Sequence, residues 1–342
     1  MEMEFYKSRA KHLDQRPHSE TELAYRADFF IKEFSPRIPT KGELALLSHK
    51  YGPDLASMVL YRSICQNDLH GEFVRFINKY AHAHRKENQL HKVFISTGRC
   101  FGLEFQSGRR SEYFENLAHD ALFSTDIIPT DDTDSVSTNA RVLWKSIEMS
   151  QEKSIILVTF GRSSAEARMM FEKKSGSKEL NKIKAWINLS GIFSGSQLYS
   201  NIFNSSWRRS WLNVLGRFST VNINGLQELS NTYPLWNRNL RLPVGMRVVS
   251  LLGLSMSQSI HPLLKRNYKE LSHFGPNDGI SLSWDSIAQP GLIFPMWNTD
   301  YFLRRKDFPR IFQKILTSTA EQIEDRSQLK PELTIKEFGI ET

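Results

Sequence analysis

The stretch Ser154-Ile-Ile-Leu-Val-Thr-Phe-Gly-Arg-Ser-Ser-Ala-Glu-Ala167 reads as a buried strand running straight into a helix, with Gly161-Arg162-Ser163-Ser164-Ala165 at the join. Small residues two before and two after a serine permit a tight strand-to-helix turn that holds the hydroxyl in strained geometry above a sheet. The partial positive charge of the helix N-terminus then suits an oxyanion. This is the layout of a nucleophile elbow, and it nominates Ser163 Oγ for acyl transfer. Ser164 fits less well, because Arg162 and Glu166 at minus two and plus two would crowd the turn. The same residues also describe an ordinary strand–glycine–helix junction in which either serine caps the helix. Ala165 stands where the pattern has its second glycine.

From residue 91 the chain alternates short apolar runs with helical periods. Val93–Ser96, Asp126–Pro129, Ile155–Phe160, Ile183–Leu189, Met246–Leu252 and Leu292–Trp297 read as strands. Asn139–Met149, Ala165–Lys173 and Phe308–Leu316 read as helices. Such alternation predicts a mostly parallel central sheet with helices on both faces. Function in these sheets collects at the carboxyl ends of the strands, and the expectation is an interior strand at 155–160 with Ser163 at its end. Residues 1–90 read as a helical N-terminal extension. Leu23, Ala27, Phe30, Ile31 and Phe34 recur at helical spacing, and Thr40-Lys-Gly-Glu43 is a capping-box pattern.

Residues 192–243 interrupt the alternation. Within them Trp207, Trp211, Val214 and Leu215 share one face of a helical period, with Arg208 between. The segment reads either as a helix packed on the main domain or as a lid-like insertion over an apolar site.

Composition narrows the classes. The chain has 342 residues, 40% hydrophobic and 24% charged, which describes a globular protein. Forty-five basic against 37 acidic residues give a net charge of +8, dispersed along the chain. No nucleic-acid signature accompanies it, so no nucleic-acid partner is expected, whereas an anionic membrane surface or acidic substrate stays open. Cys65 and Cys100 give neither a disulfide framework nor metal-ligand spacing, and no metal or cofactor is expected. No apolar leader and no membrane-length apolar run appears, so a cytoplasmic protein is expected.

A serine nucleophile needs a base and an orienting carboxylate. Downstream of Ser163, Asp278 stands in the Asn277-Asp278-Gly279 turn. With the elbow, the strand and turn of Ile183–Ser196 and the last-strand loop Pro295–Leu303, it resembles the α/β-hydrolase superfamily, in particular its lipase- and esterase-like members, over roughly residues 91–320. The resemblance implies Ser163 as nucleophile and Asp278 as acid. It implies the Ser164 backbone N–H as one oxyanion donor, with a second from the loop near Gly98 or Arg99. It departs from the pattern at the base. Similar lipases carry an Asp-His pair after the last strand, and here the pair reads Asp300-Tyr301. A tyrosine hydroxyl is protonated near neutrality and cannot take the serine proton as imidazole does. No histidine follows His273, so a substitute base would come from His261 or His273, or from the more distant His91 and His119.

Two functions follow. One is an esterase- or lipase-like serine hydrolase acting on an acyl ester or other apolar small molecule. The other is a catalytically weak or inactive hydrolase-fold protein that binds an apolar ligand, a membrane surface or a protein partner.

Overall fold

The computed structural model describes residues 19–80, 90–98, 108–204 and 223–328, and among these four helices precede the first strand. They are α1 (Glu20–Phe34), α2 (Lys41–Tyr51), α3 (Pro53–Gln66) and α4 (Asp68–Lys79). Their starts are set locally. The Ser19 side chain accepts from Glu22 N, and Thr40 and Glu43 form the expected capping box. Pro53 opens α3 where a missing N–H costs nothing.

The strands and helices of the sheet region follow. They are β1 (Lys92–Gly98), α5 (Gly108–Asp120), β2 (Ser124–Ile127), α6 (Val136–Met149), β3 (Ile155–Gly161), α7 (Ser163–Lys173) and β4 (Ile183–Leu189). Next come α8 (Gln197–Asn204), α9 (Ile223–Glu228), β5 (Arg247–Leu254), α10 (Lys265–Leu271), α11 (Ser283–Ile287), β6 (Leu292–Trp297) and α12 (Phe308–Gln328). All six strands are parallel, in the order β2-β1-β3-β4-β5-β6. β3 is therefore interior, and every one of its residues is buried. That burial on both faces is why its sequence is a nearly continuous apolar run, with Thr159 its one polar side chain. β2 lies two residues earlier than the apolar pattern suggested. As an edge strand it is largely exposed, so apolar content did not mark it.

Strand side chains alternate between two cores, as the two-residue period demands. In β5 and β6, Leu252, Leu254, Ile293 and Trp297 join Leu23, Ile31, Leu55 and Ile64 of the N-terminal helices. Leu251, Phe294 and Met296 point the other way, into the main core. α1 to α3 thus complete one side of the sheet near its β6 edge, whereas Phe73 and Ile77 of α4 join the main core. No helix among the described residues is long and apolar enough to cross a membrane.

Candidate active site

The connection out of β1 runs to β2 on one side, while β3 pairs with β1 on the other. A reversal of this kind opens a crevice at the carboxyl ends of the two central strands. Gly98 and Gly161, the last residues of β1 and β3, pair directly there. A Cβ on Gly98 would lie 2.9 Å from Ser163 N and 3.0 Å from Arg162 Cβ. A Cβ on Gly161 would collide with Tyr301 Oη and lie 3.1 Å from Gly98 O.

The sharp turn sits on Gly161, whose φ is +61°. Arg162 is already helical at φ −59° and ψ −35°, and Ser163 is the first residue of α7. The strained position is therefore two residues earlier than the Gly161–Ala165 pattern placed it. The reason is steric: a left-handed backbone costs a Cβ-bearing residue about 1–2 kcal/mol and costs glycine little. In this register the small residues flanking the apex are Thr159 and Ser163.

Ser163 is fully buried, and its Oγ accepts from Ser96 Oγ of β1 at 3.0 Å. Ser164 Oγ bonds to Thr159 Oγ1 at 2.9 Å and donates to Asn188 Oδ1 of β4. Trp186 Nε1 donates to the same Thr159 hydroxyl at 2.8 Å. Both serines thus belong to buried networks that tie α7 to the strands. Arg99 lies outside the described residues, and Gly98 presents its carbonyl, an acceptor, toward Gly161.

Asp278 is buried. Its carboxylate accepts from Ile280 N at 2.8 Å, Ser281 N at 2.7 Å and Ser281 Oγ at 3.3 Å. Its carbonyl accepts from Tyr301 N at 3.0 Å. Burial pushes the Asp278 carboxyl up to about 7; the two amide donors oppose the push and nearby Asp300 adds to it. The Tyr301 ring packs on Phe160 at 5.0 Å between centroids and reaches the apex glycine. The last-strand loop so reaches a left-handed turn at the end of an interior parallel strand, and the Asp278 turn is tied to that loop through the Tyr301 amide.

This is the α/β-hydrolase fold.

Among solved structures, a metagenomic carboxyl esterase matches this fold over 70% of this chain and 76% of its own, with TM-score 0.52 and 16% identity. A Bacillus licheniformis lipase in its propeptide form matches over 68% of this chain and 49% of its own, with TM-score 0.50 and 16% identity. No family model and no curated protein matches the sequence.

Within the α/β-hydrolase frame, Gly161, Tyr301 and Asp278 are brought together, and Ser163 is held two residues further on. None of the candidate histidines is hydrogen-bonded to either serine among the described residues. His261 packs edge-on against Phe302, and its backbone N–H donates to Asp300 Oδ2 at 2.8 Å. His273 is exposed. His91 bonds to Ser154 Oγ at 2.6 Å at the opposite end of the sheet, and His119 bonds to Thr125. Trp207 and Trp211 of the expected lid lie outside the described residues.

Two features of the surroundings were not visible in the sequence. The Arg110 guanidinium stacks 4.3 Å from the Phe160 ring centroid and 5.0 Å from that of Phe302, the neighbours of Gly161 and Tyr301. Arg162 donates to the carbonyls of Asp132 and Asp134 and pairs with fully buried Glu166 at 3.0 Å. Asn139 donates to Glu166 at 2.8 Å. Burial pushes the Glu166 carboxyl above the usual range, against the pull of Arg162. The Gly161 apex did have a signal, since Thr159-Phe160-Gly161-Arg162-Ser163 is itself flanked by small residues. Among the described residues no group of His, Cys, Asp and Glu stands in a metal-holding arrangement.

Proposed function

We propose that this chain is a hydrolase-fold binding protein without acyl-transfer chemistry, with glycine at the nucleophile position and tyrosine at the base position. The observation that carries this reading is the contact of the Tyr301 hydroxyl with the space a side chain on Gly161 would need. An apex without Cβ supplies no nucleophile, and a protonated phenol supplies no base. Asp278 supports the same reading, because its carboxylate is committed to the amides of its own turn. Esterase and lipase neighbours support an ester-like or otherwise apolar small molecule as the ligand class.

The rival reading keeps Ser163 as nucleophile. Its hydroxyl is fully buried and bonded to Ser96, which argues against it. Labelling with a fluorophosphonate probe separates the two. The binding reading expects no label on the native chain and a gain of label in Gly161→Ser/Tyr301→His. Labelling of the native chain that Ser163→Ala abolishes would sink it.

A further inference from the structure

A cavity lies away from the Gly161 turn, between α4, the outer strand β6 and the first turns of α12. Its volume is about 240 Å³, and Phe294 and Pro295 are among its lining residues. That is below the range of about 300–1,000 Å³ that holds drug-sized ligands, so its occupant is small. Four charged side chains line it: Arg305, Asp307, Arg310 and Lys314.

The charges do not balance. Asp307 is engaged by Arg305, whose Nε donates to Asp307 Oδ1 at 2.7 Å. Arg305 also holds the Trp297 carbonyl at 3.3 Å. Arg310 and Lys314 have no carboxylate partner among the described residues. They stand one helical turn apart on α12, a spacing at which like charges repel. Arg310 also falls in the first turn of α12, where the helix dipole disfavours a cation and favours an anion. Lys314 is only 5% exposed. It donates to the carbonyls of Ile77 and Asn78 at 3.1 Å each, which leaves one of its three N–H donors for the cavity.

We propose that this cavity binds the phosphoryl group of a phosphate or phosphomonoester, held by Arg310 and Lys314 with Arg305 at its side. The excess of two positive charges suits a group that carries about −1.5 to −2 at neutral pH better than it suits a carboxylate. The inference is independent of the reading of Gly161, since none of these residues touches that turn. Desolvation and the charge of Arg310 both hold the Lys314 amine below its usual range, and the charge of a bound dianion would oppose both.

Calorimetric titration of the full chain with inorganic phosphate in low-salt chloride buffer tests the site, with acetate in parallel. Saturable phosphate binding is expected, with acetate weaker by about tenfold or more. Arg310 is exposed, so Arg310→Gln and Arg310→Glu should fold, a point checked by their melting temperatures without ligand. Both should weaken phosphate about tenfold or more, the glutamate more strongly. Absence of saturable binding overturns the proposal, as does unchanged affinity in folded Arg310→Glu or acetate binding as tight as phosphate. Glycerol 3-phosphate and phosphatidate-containing phosphatidylcholine vesicles then separate the sources. Pelleting with vesicles that Arg310→Glu abolishes assigns a lipid headgroup, and binding of the soluble ester without pelleting assigns a free one.

Discussion

The hydroxyl of Tyr301 fills the space that a side chain on Gly161 would occupy. Each residue therefore accounts for the other. The apex tolerates φ +61° without strain because it is glycine, and the tyrosine reaches the apex because nothing projects from it. Its ring is held by Phe160 and Phe302, at 5.0 and 5.6 Å. A pair that is sterically exclusive of a serine in this way is a packed core feature, and its substitutions should behave as such.

Gly161→Ser alone should destabilise the fold. The backbone term is about 1–2 kcal/mol for a Cβ in the left-handed region, and forced overpacking adds about 1–3 kcal/mol. Gly161→Ser/Tyr301→His removes the collision and should recover much of the packing loss. Urea unfolding of the single and double variants measures both. If the single variant is as stable as the native chain, Tyr301 does not hold the apex closed.

Asp278 should make stability fall with rising pH. Its carboxyl lies at about 7 in the folded chain against an ordinary 3.8. The folded state thus binds the proton more tightly, and stabilisation relative to the charged form is present at low pH. It is lost progressively between about pH 4 and pH 7, and the loss is complete above that window. Asp278→Asn keeps an acceptor for the Ile280 and Ser281 amides and removes the titration. The native chain should therefore lose up to a few kcal/mol relative to Asp278→Asn across this window. Parallel denaturation curves at pH 4, 6 and 8 check it, and a constant difference between the two proteins would contradict it.

The sheet was legible because its interior strands are buried on both faces and so read as predominantly apolar runs, broken only by a few polar residues such as Ser96, Thr159, Lys184, Asn188 and Ser250. The helix starts at Glu20 and Lys41 were legible because Ser19 and the Thr40–Glu43 box cap them through local hydrogen bonds. What the sequence did not disclose depends on distance or on backbone angle. Two overlapping five-residue windows at the join place small residues around a centre, and only φ distinguishes Gly161 from Ser163 as apex. β2 is an edge strand of Ser124-Thr125-Asp126-Ile127, whose polar residues face solvent and give no apolar signal. α12 continues to Gln328, well past Leu316, because its second half is polar on one side while Ala320 stays buried. The stacking of Arg110 on Phe160 and Phe302 joins three distant segments, and no local pattern encodes it.

The pair beside the turn yields the last prediction. Arg162 bridges α7 to the 132–134 segment and neutralises Glu166, which has no exposed surface. Arg162→Met removes that charge and leaves Glu166 buried with the Asn139 and Ser163 side chains as its hydrogen-bond donors. An uncompensated buried carboxylate of this kind costs about 3–5 kcal/mol. The cost should depend on pH with a definite sign. Burial already raises the Glu166 carboxyl, and losing the guanidinium raises it further. The variant's deficit should therefore be smallest in acid, where Glu166 is protonated in the folded and unfolded chains alike, and should grow as pH rises. Arg162→Met/Glu166→Gln should abolish that pH dependence. It should also recover most of the stability, less the part that Arg162 supplies through the Asp132 and Asp134 carbonyls. Unfolding of both variants at pH 5 and pH 8 decides the matter. A deficit independent of pH would mean that Arg162 acts through those two carbonyls and not through the charge of Glu166.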